Sequence, residues 1–214
     1  MRLILFDFDF TLGDSSRGIL ECFRYALASC DLPVPDNSTI LATVGMSLPD
    51  SFAILAPGAC LQTLRERFVK RGDEVMVAWA VVYDEVTEVV SALRSRGCAT
   101  GIVTSKFRRR IEGILARDGF SHLFDVIVGS EDIPNHKPNP DGILMAMRKL
   151  GAIPEETTYI GDALVDLKTA QAAGVRFIGI AIGPTPAKDL ADHGVPVVNR
   201  LKDLLDLIEE QCHV

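Results

Sequence analysis

The sequence predicts an α/β protein: a parallel sheet with helices on both faces, interrupted near its start by an all-helical insertion. Three observations carry this expectation. Beyond residue 80, short apolar runs alternate with helical patterns, the rhythm of repeated βα units. From Asp14 to Val82 that rhythm is absent, and every periodic stretch reads as helix. Several apolar runs end in acids, hydroxyls or a lysine, and a parallel sheet collects the carboxyl ends of its strands along one edge.

Taken in order, Leu3–Phe6 is an apolar run of buried-strand type that leads into Asp7 and Asp9. In the insertion, Ser15 or Ser16 starts a helix through Cys30, which Pro33-Val-Pro35 ends. Asn37 or Ser38 starts a second helix through Val44, and Gly45–Pro49 and Pro57-Gly58 are turns. Helices over about 59–71 and 73–82 complete the segment, with no strand expected. Glu85–Arg96 then carries Val86, Val89, Val90 and Leu93 at helical spacing and stops at Gly97. Strand 99–103 and a helix over 109–117 follow. Next come strand 124–128, helix 141–150, strand 158–160 and helix 164–173. Strands 175–181 and 196–198 and helix 201–210 end the chain. The abrupt change of pattern predicts residues 14–82 as a separate lid on linkers near 12–16 and 80–84. Residues 1–13 and 83–214 then form the core; the alternative is one domain with peripheral helices.

A chain of 214 residues can bury a substantial core, so one domain and a smaller insertion are expected. Its formal charge of −7 argues against a nucleic-acid partner, since phosphate backbones need a basic surface. The five cysteines (Cys22, Cys30, Cys60, Cys98 and Cys212) lack Cys-x-x-Cys spacing and read as reduced packing thiols. No run reaches membrane-spanning length, and residues 1–10 read as a core strand rather than a leader, so a cytoplasmic monomer or homodimer is expected.

Four strand ends hold the chemistry. Asp7 and Asp9 stand two residues apart, where alternation puts both carboxylates on one face. Such a pair is costly unless a cation neutralises it or one acid keeps a proton, although acids also serve as caps and turns. Thr104-Ser105-Lys106 closes the second apolar strand. A loop stiffened by Pro138 and Pro140 presents Lys137. Gly161-Asp162 and Asp166, acids at i and i+4, close a later strand.

In this order the four groups resemble the motifs of the haloacid dehalogenase-like hydrolases. Asp7/Asp9/Thr11 match the first, Thr104 the second, Lys137 the third, and Gly161-Asp162 with Asp166 the fourth, over residues 1 to about 185. The helical segment after the first motif is similar to the cap of the phosphoglycolate phosphatase-like group, and a Rossmann-like core is implied. The chain departs at Phe10, where most relatives of this type carry Gly.

The resemblance implies Asp7 as nucleophile and Asp9 as the acid that protonates the leaving oxygen and then activates water. Asp at the second position implies phosphoryl chemistry, since dehalogenases lack it and transport ATPases carry Thr. Hard oxygen donors imply Mg²⁺, held by Asp7, the Asp9 carbonyl and Asp162, with Asp166 orienting Asp162 or a metal-bound water. Thr104, Ser105 and Lys137 are the expected phosphate clamp, aided by the helix start that follows Thr104. The Gly45-Met46-Ser47 turn is the expected source of cap contacts through Met46 and Ser47. Lys106 is equally placed to reach substrate or solvent. His136 and the Arg108-Arg109-Arg110 run read as surface. Trp79 is expected to pack in the last cap helix.

The implied activity is hydrolysis of a small-molecule phosphate ester, with phosphoglycolate first. Alternatives on the same core are pyrophosphate or a nucleoside monophosphate. A phosphosugar mutase of the β-phosphoglucomutase type is a further alternative, but no set of sugar-orienting polar cap residues stands out. A non-catalytic binding protein would not need the whole acid, hydroxyl and lysine set.

Overall fold

A computed structural model of the chain describes residues 2–210. Six parallel strands form the main sheet: β1 (Leu3–Phe6), β4 (Ala99–Val103), β5 (Val126–Val128), β6 (Thr157–Gly161), β7 (Arg176–Ile180) and β8 (Val197–Val198). Their order is β5-β4-β1-β6-β7-β8. The chain leaves β1 towards β4 and β5 on one side and later fills β6 to β8 on the other. A crevice therefore opens at the carboxyl end of β1, the usual ligand position in open α/β sheets. Register makes this concrete, because Phe6 stands beside Ile102 on one neighbour and Ile160 on the other.

Alternation along β1 feeds two cores. Ile4 and Phe6 pack with Val86, Val89 and Val90 of α5 (Glu85–Ser95) and Ile111 and Ile114 of α6 (Arg108–Asp118). Leu204 of α10 (Asp203–Glu210) joins the same side. Leu3 and Leu5 pack with Ile143 and Met147 of α7 (Asp141–Leu150) and Leu167 and Ala170 of α8 (Leu164–Ala173). A short α9 (Ala187–Ala191) adds Leu190 to this second core. Burial on both faces is why the strands are continuous apolar runs. No helix among the described residues is long and apolar enough to cross a membrane. Cys212 lies outside the described residues.

The segment after β1 builds a third core of its own from α1 (Ser16–Ala28), α2 (Asn37–Leu41), α3 (Leu48–Leu55) and α4 (Leu61–Trp79). Phe23, Phe52 and Phe68 meet edge to face at its centre. Several sequence expectations change here. The second helix is capped by Asp36, whose carboxylate accepts from the Thr39 amide, and it stops at Leu41 rather than Val44. The expected turn at residues 45–49 is a turn only as far as Ser47, which caps α3; Leu48 and Pro49 already belong to the helix, and Pro49 stands in its first turn, where a missing N–H is harmless. Helices expected over 59–71 and 73–82 are one helix, α4, running through Gly72. There is also a strand where none was expected. β2 (Gly13–Asp14) and β3 (Val81–Val82) pair antiparallel, so the two crossings between insertion and core lie side by side. A two-residue strand is too short to show a period. Gly13 is required there, since a Cβ would stand 2.7 Å from the Val81 carbonyl oxygen.

Candidate active site

β1 ends at Phe6, but its ladder continues one step, with the Asp7 amide donating to the Ile160 carbonyl at 2.8 Å. The chain then folds back tightly: the amides of Leu12 and Gly13 both donate to the Phe8 carbonyl, at 2.9 and 3.1 Å. That turn puts Phe10 at φ +56°, the left-handed region that glycine adopts freely. The departure at position 10 therefore carries backbone strain of roughly 1 kcal/mol, and burial of the ring offsets it.

Asp7 is 2 % exposed and Lys137 5 % exposed. The Lys137 ammonium lies 3.0 Å from Asp7 Oδ1 and donates to Asp166 Oδ1 at 2.7 Å. Asp166 Oδ2 accepts from the Ala163 amide at 3.1 Å, which fixes the acid at the start of α8. The Tyr159 hydroxyl, a partner that sequence reasoning missed, donates to the Val103 carbonyl and stands 3.2 Å from Asp166 Oδ1. Asp166 thus holds Lys137 and the helix start; no hydrogen bond among the described residues joins it to Asp162. That corrects the first of the two roles expected for it, orienting Asp162, and leaves the second, orienting a metal-bound water, untouched. The i, i+4 spacing matched the motif, but Asp162 lies before α8 begins and the two acids share no helix face.

The charge balance is uneven. Burial, then repulsion from Asp166 and Asp7, pushes the Asp162 carboxyl up to about 9. Burial also raises Asp166, to about 6, although the Lys137 charge holds it down. Burial works against the Lys137 charge too, but attraction to Asp166 and Asp7 overrides it and keeps the ammonium protonated. Asp7, Asp162 and Asp166 can each offer an oxygen within 4.8 Å of the others. With Asp166 committed to Lys137, Asp7 and Asp162 remain as an all-oxygen donor pair suited to a hard divalent cation. Asp7 Oδ1 and Asp9 Oδ1 are buried, and each faces a lysine ammonium, Lys137 at 3.0 Å and Lys106 at 3.1 Å.

Gly183 was not singled out in the sequence, yet the site depends on it. A Cβ there would stand 2.0 Å from Asp162 Oδ2 and 2.8 Å from Phe10 Cβ. Gly183→Ala is expected to push Asp162 aside and lower kcat/KM by about tenfold to a hundredfold, with an unchanged circular dichroism spectrum. Turnover assays at saturating and limiting divalent cation check this, and wild-type rates in both would refute it.

The other predicted residues fall around one cavity of 390 Å³ between core and insertion, which Asp7, Asp9, Thr104, Ser105, Met46 and Ser47 all line. Lys137 and Asp162 stand behind Asp7 and do not face it. The Thr104 amide is used by the Val128 carbonyl, and its hydroxyl accepts weakly from the Lys106 amide at 3.3 Å. Ser105 Oγ donates to the Gly45 carbonyl at 2.8 Å, so the hydroxyl expected to clamp phosphate ties the core to the insertion. The Ser47 hydroxyl is engaged with Asp50 at the start of α3. Lys106 is buried, with Nζ 3.1 Å from Asp9 Oδ1.

Three further expectations are corrected. The start of α6 is not open to phosphate: Glu131 accepts from the amides of Arg108 and Arg109, at 2.8 and 3.4 Å. The arginine run is not a solvated face, since Arg110 is 3 % exposed and, with Arg109, pairs to Asp73 of α4. Its guanidinium occupies the space above Gly72. His136 is half-buried and lines the cavity. Trp79 closes α4 as expected, with the Arg17 guanidinium 4.2 Å from its ring centre.

Fold and site together define a hydrolase built on a parallel α/β sheet. Residues 4–180 match the family model for haloacid dehalogenase-like hydrolases, and the chain belongs to that family. It is 31 % identical over 212 residues to pyrophosphatase PpaX of Oceanobacillus iheyensis, covering 97 % of each chain. It is 26 % identical over 231 residues to phosphoglycolate phosphatase of Escherichia coli (strain K12), covering 96 % of this chain and 91 % of the relative. A crystal structure of a haloacid dehalogenase-like hydrolase from Bacteroides fragilis superposes with a TM-score of 0.90 at 37 % identity, over 95 % of this chain and 99 % of that one.

Proposed function

We propose that the chain is a Mg²⁺-dependent phosphatase that hydrolyses small-molecule phosphate esters through an aspartyl-phosphate on Asp7. The observation that carries this is the buried Asp7 carboxylate at the floor of the cavity, with the Lys137 ammonium 3.0 Å away and Asp162 beside it. An Asp7 oxygen attacks phosphorus, the phosphorus–oxygen bond to the alcohol breaks, and Asp9 gives the leaving oxygen its proton. Water then attacks phosphorus, Asp9 takes a proton from it, and the bond to Asp7 breaks to release phosphate. Mg²⁺ held by Asp7, the Asp9 carbonyl and Asp162 would supply positive charge to the phosphoryl oxygens. Lys137 steadies Asp7 and the transferring group, and Asp166 positions Lys137.

Residues 14–82 serve in this reading as a lid over a core of 1–13 and 83–214, excluding water and supplying contacts from the 45–47 turn. Phosphoglycolate is the first candidate substrate and pyrophosphate the second, after the names of the relatives above. A panel of phosphate esters assayed with Mg²⁺ and with EDTA tests the activity; no Mg²⁺-dependent phosphate release from any of them overturns it. Asp9→Asn is expected to slow alkyl esters far more than p-nitrophenyl phosphate in the first step, because a good leaving group needs no proton. Equal losses in rapid-quench phosphorylation rates for both would remove Asp9 from its role.

A further inference from the structure

The cavity is larger and more apolar than a phosphoryl group with a two-carbon acid requires. Its 390 Å³ is within the range of pockets for drug-sized ligands. Polar groups line the floor and also reach the walls, through Ser51, Arg110, Glu131 and His136. The apolar part of the wall is Ile19 and Phe23 of α1, Leu48 of α3, Phe68 and Met76 of α4, and Phe107 before α6. They are stiff: Phe23 and Phe68 meet edge to face with ring centres 4.7 Å apart, and Phe52 backs both.

α4 runs the depth of this cavity. Arg65, Phe68, Gly72 and Met76 follow at spacings of three and four and so share one helix face. Met76 marks the floor, its sulfur 3.6 Å from the Lys106 ammonium, which in turn sits against Asp9. Arg65 is then about 16 Å further along the axis, at the mouth. The charges on the way are already matched. Lys106 faces Asp9, Arg110 faces Asp73, and Glu131 is turned onto the amides of Arg108 and Arg109. Arg65 lines the cavity, is exposed, and has no ion pair or hydrogen bond among the described residues. The sequence of surfaces from floor to mouth is phosphoryl site, apolar wall, free cation.

We propose that the preferred substrate is a phosphate monoester whose alcohol has an apolar body about the size of an aromatic ring and ends in an anionic group. The body lies between Phe23, Leu48 and Phe68, and the anion meets Arg65. This rests on the phosphatase reading above and revises its substrate order, placing a bulkier ester ahead of the two that the relatives' names suggest. A carboxylate and a second phosphate share the chemistry that Arg65 recognises, and bulk separates this class from phosphoglycolate and pyrophosphate.

The test is a matched series of unactivated esters: ethyl phosphate, phosphoglycolate, benzyl phosphate and 4-carboxybenzyl phosphate, with pyrophosphate alongside. kcat/KM is expected to rise on the order of tenfold to a hundredfold from ethyl to benzyl phosphate. The 4-carboxyl group should add about twofold to fivefold, as suits an exposed cation. Arg65→Gln, at an exposed position that cannot cost the fold, should erase the carboxylate preference through KM. Leu48→Trp should lower the benzyl esters more than phosphoglycolate. Phosphoglycolate or pyrophosphate outranking both benzyl esters overturns the inference, as does a carboxylate preference that survives Arg65→Gln. Calorimetric binding of the corresponding phosphonates reads the cavity without turnover. If they bind with the expected ranking and nothing is hydrolysed, the phosphatase reading has failed and the cavity assignment stands. If hydrolysis occurs and the benzyl phosphonates bind no better than phosphonoacetate, the cavity assignment has failed alone.

Discussion

Asp7→Asn is expected to abolish turnover while leaving the fold intact. The side chain keeps its size, so the position beside Ile160 and the turn from Phe8 to Gly13 are undisturbed. What disappears is the charge that attacks phosphorus, and losing a nucleophile costs several orders of magnitude in kcat. Stability should move the other way. In the native state Asp7, Asp162 and Asp166 lie within 4.8 Å of one another with Lys137 as the buried cation among them. Removing one negative charge relieves repulsion on Asp162, so the variant without divalent cation should melt at or above the wild-type temperature. Thermal melts in EDTA alongside a phosphate-release assay read both effects. Turnover within tenfold of wild type would exclude the aspartyl-phosphate route.

Lys137→Met carries the second large effect and hits both function and stability. The thioether fills similar volume but leaves Asp166, fully buried, without its cation. Breaking one side of a buried ion pair costs about 3–5 kcal/mol. In a chain of 214 residues that corresponds to a drop in Tm of roughly 6–20 °C. The deficit should depend on pH with a definite sign. Asp166 is raised to about 6 even beside Lys137, and without the ammonium it is raised further. A carboxyl raised in the folded state stabilises the fold while protonated and loses that contribution as pH rises through its folded pKa. The loss of Tm should therefore be larger at pH 8 than at pH 5. Activity should fall by at least a hundredfold at either pH, since the charge nearest Asp7 is gone. A Tm deficit that is the same at both pH values would mean that Asp166 is held by Tyr159 and the Ala163 amide without help from Lys137.

How much of this was legible in the sequence follows from how local each signal is. Strand ends are local: an apolar run followed by Asp7, Thr104 or Asp162 states both the strand and where it stops, and parallel order brings those ends to one edge. Chain order and alternation therefore determined a parallel sheet buried on both faces and the gathering of Asp7, Thr104, Lys137 and Asp162, while the order of its strands came only from the fold. Helix boundaries in the insertion were less legible. Gly72 looks like a break until Arg110, 38 positions later, is seen filling the space its missing side chain leaves. β2 and β3 are invisible because each is two residues long and exists through pairing with the other.

The site's finer wiring belongs wholly to tertiary structure. Asp166 was legible as a partner, but that it holds Lys137 rather than Asp162 depends on where α8 starts relative to β6. Glu131 closes the start of α6 from a separate loop, and Gly183 makes room for Asp162 from the loop that follows β7. Arg65 is one of many charged residues along α4 until the fold leaves it alone at the mouth of an apolar cavity. Periodicity and strand ends are written over a few neighbouring residues. Close approach, charge compensation and cavity shape join residues tens of positions apart, and only the packed chain decides which of them meet.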